Sequence, residues 1–80
     1  MDIQLLFFAA IKDHFPDLKK IEVSEGDSII HLREMLTHKS PSSESILKVS
    51  RFAVNQVIVS DDFVLREGSV VAVLPPSSGG

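Results

Sequence analysis

The residues best suited to chemistry are the last six, Pro75-Pro76-Ser77-Ser78-Gly79-Gly80. From Ser69 onward no side chain carries a charge, so the one charge of this stretch is the carboxylate of Gly80. Two adjacent prolines remove two amide donors and hold φ near −65°, which favours an extended exit from the folded body. Gly79 and Gly80 lack a Cβ, so their backbone can approach another surface closely. A thin, uncharged thread of this kind can enter a narrow channel in a partner. There its carboxylate can attack the α-phosphate of ATP, and the resulting acyl-adenylate carries a good leaving group. A side chain beside the reacting carbon would obstruct both steps. Gly80 is therefore the candidate reacting residue, and Pro75, Pro76, Ser77, Ser78 and Gly79 the candidate insertion tail. Glycine-rich ends also arise without function. The apolar strand and the proline pair in front of this one set it apart.

Other chemistry is poorly supported. His14, His31 and His38 have no tight ligand spacing, and the chain contains no cysteine, so no metal site is expected. Asp61-Asp62 reads as a solvated turn. The serines include no Gly-x-Ser-x-Gly elbow. Eleven acids against eight scattered bases give a net charge of −3, and tyrosine and tryptophan are absent. That combination argues against nucleic-acid binding. The longest apolar runs, Leu5–Ile11 and Val70–Leu74, fall far short of the ~20 residues of a membrane span. Met1-Asp2 offers no basic leader. A cytoplasmic protein without membrane contact is the expectation. With 80 residues, the chain can bury only about 60–65% of its unfolded surface. That leaves little room for an enclosed substrate cavity of ~300–1,000 Å³.

The elements that must position the tail follow from periodicity. Ile3–Phe8 reads as a strand with Ile3, Leu5 and Phe7 on one face. Ala9–Phe15 suits a short helix closed by Pro16. Leu18–Val23 is a second, imperfect strand. Ser28 has the chemistry of an N-cap, its hydroxyl serving a first-turn amide. Ile29–His38 then repeats apolar residues at helical spacing, with Arg33, Glu34 and Lys39 mostly on the polar side. Ser40-Pro41 breaks this helix and can open a short second one anchored by Ile46, Leu47 and Val49. Arg51–Asn55 and Val57–Val59 are short strands around Asn55-Gln56. Asp61–Arg66 is an irregular link with Phe63 and Leu65 turned inward. Ser69–Leu74 is the last strand.

The first and last strands are the most apolar, so they should be central, paired and parallel. One main helix should cover one face of a mixed sheet of four to five strands. This α+β layout is that of a ubiquitin-like β-grasp. A ferredoxin-like topology competes but needs a second full-length helix. Residues 1–74 would form the β-grasp body, and 75–80 the extended tail. Phe7 and Phe8 point to opposite faces, so one of them can belong to an exposed partner surface. Phe8, Val70, Ala72 and Leu74 are the candidates, with Val71 and Val73 as the alternative.

Several motifs carry a family resemblance along the whole chain: Leu6-Phe7-Phe8-Ala9, Gly26-Asp27-Ser28, Phe52-Ala53-Val54-Asn55-Gln56, Leu65-Arg66-Glu67-Gly68-Ser69-Val70-Val71-Ala72 and Leu74-Pro75-Pro76-Ser77-Ser78-Gly79-Gly80. Together they resemble the small, sulfur-carrying subunits of molybdopterin synthase. Glu67 stands where the family usually has Asp, Ser69-Val70 replaces an acidic pair, and Ser77 replaces a frequent Val. These changes leave the chemistry at Gly80 untouched. The resemblance implies that an adenylating activating enzyme uses ATP on the Gly80 carboxylate and that a sulfur donor then makes a thiocarboxylate. It also implies that the tail enters the large synthase subunit, which holds the catalytic side chains, and gives its sulfur to a cyclic pterin precursor. The assembly implied is a heterotetramer, and the carrier itself binds no cofactor. Carriers for thiamine, ubiquitin-like modifiers and a non-covalent β-grasp binding module are the alternatives.

Overall fold

The computed structural model describes residues 1–76. The strands are β1 (Asp2–Phe7), β2 (Lys20–Glu22), β3 (Arg51–Val54), β4 (Val57–Val59) and β5 (Val70–Leu74). The helices are α1 (Ile29–Lys39) and α2 (Glu44–Val49), with 3-10 turns at Ala9–His14 and Pro41–Ser43. The five strands form one sheet in the order β2-β1-β5-β3-β4. β1 and β5 run parallel, with Leu5 beside Val71 and Phe7 beside Val73. The remaining pairs are antiparallel. A parallel neighbour cannot be reached through a tight turn, so everything between β1 and β5 serves as the crossover.

Alternation along the strands gives the sheet two unlike faces. Ile3 and Leu5 of β1, Phe52 and Val54 of β3, and Val71 and Val73 of β5 are buried under α1, which contributes Ile29, Leu32 and Leu36. Leu47 of α2 and Leu65 of the link close the same core, and Phe63 packs against it. Phe7 stacks on Phe15 at 4.7 Å between ring centroids. The whole helical layer lies on this one side.

Four local features depart from the periodicity. β2 shortens to three residues; Leu18 leaves the strand to pack against the core, while the Lys19 carbonyl still accepts the Leu5 amide. Ala9–His14 winds as 3-10 rather than α, entered through Ala9 at φ 54°. Val49, expected to anchor α2, is 57% exposed, because six residues turn only Leu47 fully inward. The Ser28 amide donates to His31 Nδ1 at 3.0 Å, and the Ser28 hydroxyl meets the same nitrogen at 3.2 Å. Histidine therefore fills the place that Glu or Gln takes in a capping box.

Arg33 is the largest correction. Helical spacing places it on the polar face, yet its side chain is only 16% exposed. The guanidinium lies 4.7 Å from the centroid of the Phe52 ring. It donates to the Leu47 carbonyl, to the Ser50 carbonyl at 2.9 Å and to Asp61 Oδ1 at 2.6 Å. One fork thus ties α1, the end of α2, the start of β3 and the link after β4. A long aliphatic stem makes this possible, since it buries its methylenes while the head finds carbonyls.

Candidate functional site

Among the described residues no layer covers the face of the sheet opposite the helices, and its residues fall in cross-strand rows. Ile58 of β4, Ala53 of β3, Ala72 of β5 and Leu6 of β1 form the middle row. Arg51 and Leu74 are paired in the next row, and Phe8 extends it in β-like backbone at φ −123°. Asn55 and Val70 head the row at the other end. Two alanines between bulkier neighbours leave a hollow. This shallow groove measures about 760 Å³ and is lined by these residues, Arg51 excepted, together with Gln56. Leu6 is 48% and Phe8 47% exposed, an unusual state for large apolar side chains in one patch. Charged residues stand at its margins, with Lys20 and Glu22 on β2 and Arg51 at the start of β3.

Of the sequence-derived candidates, Phe8, Val70, Ala72 and Leu74 all lie on this face, Phe8 exposed and the others partly so. Val71 and Val73 point into the core with no exposure. Pro75 is half-buried and Pro76 exposed, directly after the row of Phe8 and Leu74. Ser77, Ser78, Gly79 and Gly80 lie outside the described residues. The periodicity did not single out Leu6, Ala53 or Ile58. The signal was present in the register: an alternating strand that puts Phe8 outward also puts Leu6 outward.

The root of the tail is well held. β5 lies between β1, which pairs Val70 to Val73, and β3, which pairs Val71 to Leu74, so the strand is held from both sides up to Val73 and Leu74 is held by Arg51 of β3. Asn55 secures the other end of β5. It sits in left-handed backbone (φ 49°), a conformation asparagine tolerates better than most residues. Its amide donates to the Val70 carbonyl at 2.9 Å, and its side-chain Oδ1 accepts the Val70 amide at 3.0 Å. With Gln56 at φ 74° it forms a two-residue turn of the type that matches strand twist. Gly68, at φ 79°, makes the corresponding turn into β5.

Among the described residues no group of three or more His, Cys, Asp or Glu side chains could hold a metal ion. No helix among these residues is long and apolar enough to cross a membrane. What the arrangement offers is a strand paired on both sides, a bare apolar face beside it, and a sequence beyond whose side chains carry no charge.

Comparison with known proteins agrees with this architecture. The ThiS family matches residues 5–80. The molybdopterin synthase sulfur carrier subunit of Chlamydomonas reinhardtii is 31% identical, covering 100% of both chains. A solved structure of molybdopterin converting factor subunit 1 from Pyrococcus furiosus superposes with a TM-score of 0.84 at 26% identity, covering 96% of this chain and 99% of that one. The complex of subunits 1 and 2 of molybdopterin-converting factor from Helicobacter pylori contains a chain of the same fold, with TM-score 0.67, 22% identity and full coverage of both chains. By fold, by sequence along its whole length and by its motifs, this chain belongs to the ThiS family of ubiquitin-like β-grasp proteins and is a relative of the molybdopterin synthase sulfur carriers.

Proposed function

We propose that this chain is the sulfur-carrying small subunit of a cytoplasmic molybdopterin synthase, with Gly80 as the point of attachment. The observation that carries the proposal is the coupling of β5 to the tail. A strand locked between two neighbours leads, through Pro75-Pro76, into four residues whose side chains bring neither charge nor bulk. An adenylating enzyme joins the Gly80 carboxylate to the α-phosphate of ATP, and pyrophosphate leaves. A sulfide equivalent then attacks the acyl carbon and expels AMP, leaving a thiocarboxylate. This sulfur is transferred to a cyclic pterin precursor inside the large subunit. The H. pylori complex supports a large-subunit partner, since it joins subunit 1 to subunit 2.

In this reading the bare sheet face does the docking. Leu6, Phe8 and Leu74 bury against the large subunit, and the hollow over Ala53 and Ala72 receives a partner side chain. Apolar burial of this kind yields roughly 25 cal/mol per Å² before the costs of association are met. The folded body keeps the tail root in register with the partner's channel.

Reconstitution tests the proposal. Thiocarboxylated chain, large subunit and pterin precursor should together yield molybdopterin with consumption of one thiocarboxylate per sulfur transferred. Gly80→Ala should fold and bind but transfer poorly. Full transfer by a chain lacking residues 77–80 would refute it.

A further inference from the structure

We infer that Ala9 is a positioning residue: its left-handed turn takes β1 out of the sheet at the level of Pro75, so that β1 cannot pair with the tail and all six residues after Leu74 are left to reach a partner. The inference rests on the reading of Gly80 as the reacting group. Ala9 has φ 54°, a region that alanine occupies only under strain. Among the described residues the other two side-chain-bearing cases, Asn55 and Gln56, make the turn between β3 and β4, which accounts for them. Ala9 joins no such hairpin. It is exposed, as is Ala10, so no packing of its methyl requires the conformation. What holds the turn lies on either side of it, where Phe7 stacks on Phe15 and Ile11 is fully buried. Strain that its surroundings enforce beside a site points to a use for it.

The register shows what the turn prevents. β1 bonds to β5 through its even-numbered residues: the Gln4 amide donates to the Ser69 carbonyl at 2.9 Å, and each later even residue faces β5 in turn. The pairing ends at Phe7 and Val73. Continued as strand, β1 would next offer the Phe8 carbonyl to residue 75, whose proline nitrogen has no hydrogen to give. Beyond that, the Ala10 amide would meet the Pro75 carbonyl, and the Ala10 carbonyl the Ser77 amide. Pro75 cancels one bond, and only the turn at Ala9 removes the next two. The β3 side is closed at the same level. Ser50, opposite Pro75 in the antiparallel register, gives its amide to the Leu47 carbonyl at 3.1 Å and its hydroxyl to the Ile46 carbonyl at 2.7 Å, and its carbonyl accepts from Arg33 at 2.9 Å. Both neighbours of β5 therefore let go within one residue of each other. Release at Leu74 leaves six residues, a reach of roughly 20 Å. A ladder carried to Ser77 would leave three, about 10 Å, and halve the depth at which the chain end could react.

Ala9→Val and Ala9→Asn test this in the full chain. Valine is a poor fit to left-handed backbone and favours strand, whereas asparagine tolerates the turn. In Ala9→Val the Ser77 amide should become protected from hydrogen exchange, and thiocarboxylation at saturating carrier should slow by about tenfold or more. Affinity for the large subunit should stay within about twofold. Inserting Gly-Ser-Gly between Ser77 and Ser78 of that variant should restore the rate, because it returns the lost reach; a merely misfolded chain would not respond. Ala9→Asn should match the wild type in exchange and in rate. Pro75→Ala restores the missing amide but keeps the turn, so it should leave Ser77 unprotected, and this arm decides the matter if Ala9→Val does not fold. The inference is overturned by wild-type rate and exchange in Ala9→Val, by a loss that the insertion does not recover, by Ala9→Asn as slow as Ala9→Val, or by Ser77 protection from Pro75→Ala alone. A wild-type chain that is never thiocarboxylated would instead refute the reading of Gly80, and the exchange arms would still judge Ala9.

Discussion

Replacing Arg33 by Ala should cost about 3 kcal/mol of folding stability. The magnitude follows from what the guanidinium touches. Its charge-assisted bonds to the Leu47 and Ser50 carbonyls are each worth on the order of 1.5 kcal/mol. Stacking over Phe52 adds roughly 0.5–1 kcal/mol. The pair with Asp61, itself 49% exposed, adds only about 0.5 kcal/mol. Against these stands the cost of burying the guanidinium, whose Nε has no partner among the described residues. A chain of this size holds about 4–12 kcal/mol in all, so the loss is a large share. Tm should fall by roughly 12–24 °C. Arg33→Lys should fall between, since one ammonium cannot reproduce the fork. Urea unfolding followed by circular dichroism measures both variants, with Asp61→Asn as comparison. A loss below about 1 kcal/mol for Arg33→Ala would refute this assignment of the clamp, as would an equal loss for Asp61→Asn. Below its lowered Tm the variant should still accept sulfur, because the clamp lies outside the reacting tail.

Asn55→Ala should lose about 2 kcal/mol, from the Val70 bond and from forcing alanine into left-handed backbone, whereas Asn55→Gly should lose only about half of that; thermal unfolding separates them. Phe8→Asp and Ala72→Phe should leave folding nearly unchanged but weaken large-subunit binding by about tenfold or more, read by calorimetry, since one charges the apolar face and the other fills its hollow. One residue appended after Gly80 should abolish activation by the adenylating enzyme while thermal stability stays within about 0.5 kcal/mol of the unmodified chain.

The sequence carried much of this fold, because its strongest signals are local and periodic. The apolar runs of β1 and β5 announce buried central strands, and their distance in sequence implies a parallel pair. Helical spacing located α1 to within a residue, and Ser40-Pro41 marked the break before α2. Individual long side chains were less legible. Arg33 has the composition of a surface residue and the position of a core clamp, which only the crossing of α1 over β3 decides. Val49 met the apolar pattern but had no partner, since a six-residue helix has too little length to repeat its buried face. The docking face was half visible. Alternation put Phe8, Val70, Ala72 and Leu74 together, but the hollow needs the cross-strand register that sets Ala53 beside Ala72 and Leu6 beside both. Pairing between distant strands is a tertiary fact, and no local pattern encodes it.

The central claim is that the chain end is the reactive group, and intact-mass spectrometry tests it most directly. Incubation with the adenylating enzyme, ATP and a sulfide source should add ~16 Da, one sulfur replacing one oxygen, located to Gly80 by fragmentation. An unchanged mass alongside a related carrier that the same enzyme does convert would contradict the account, as would sulfur found on any other residue.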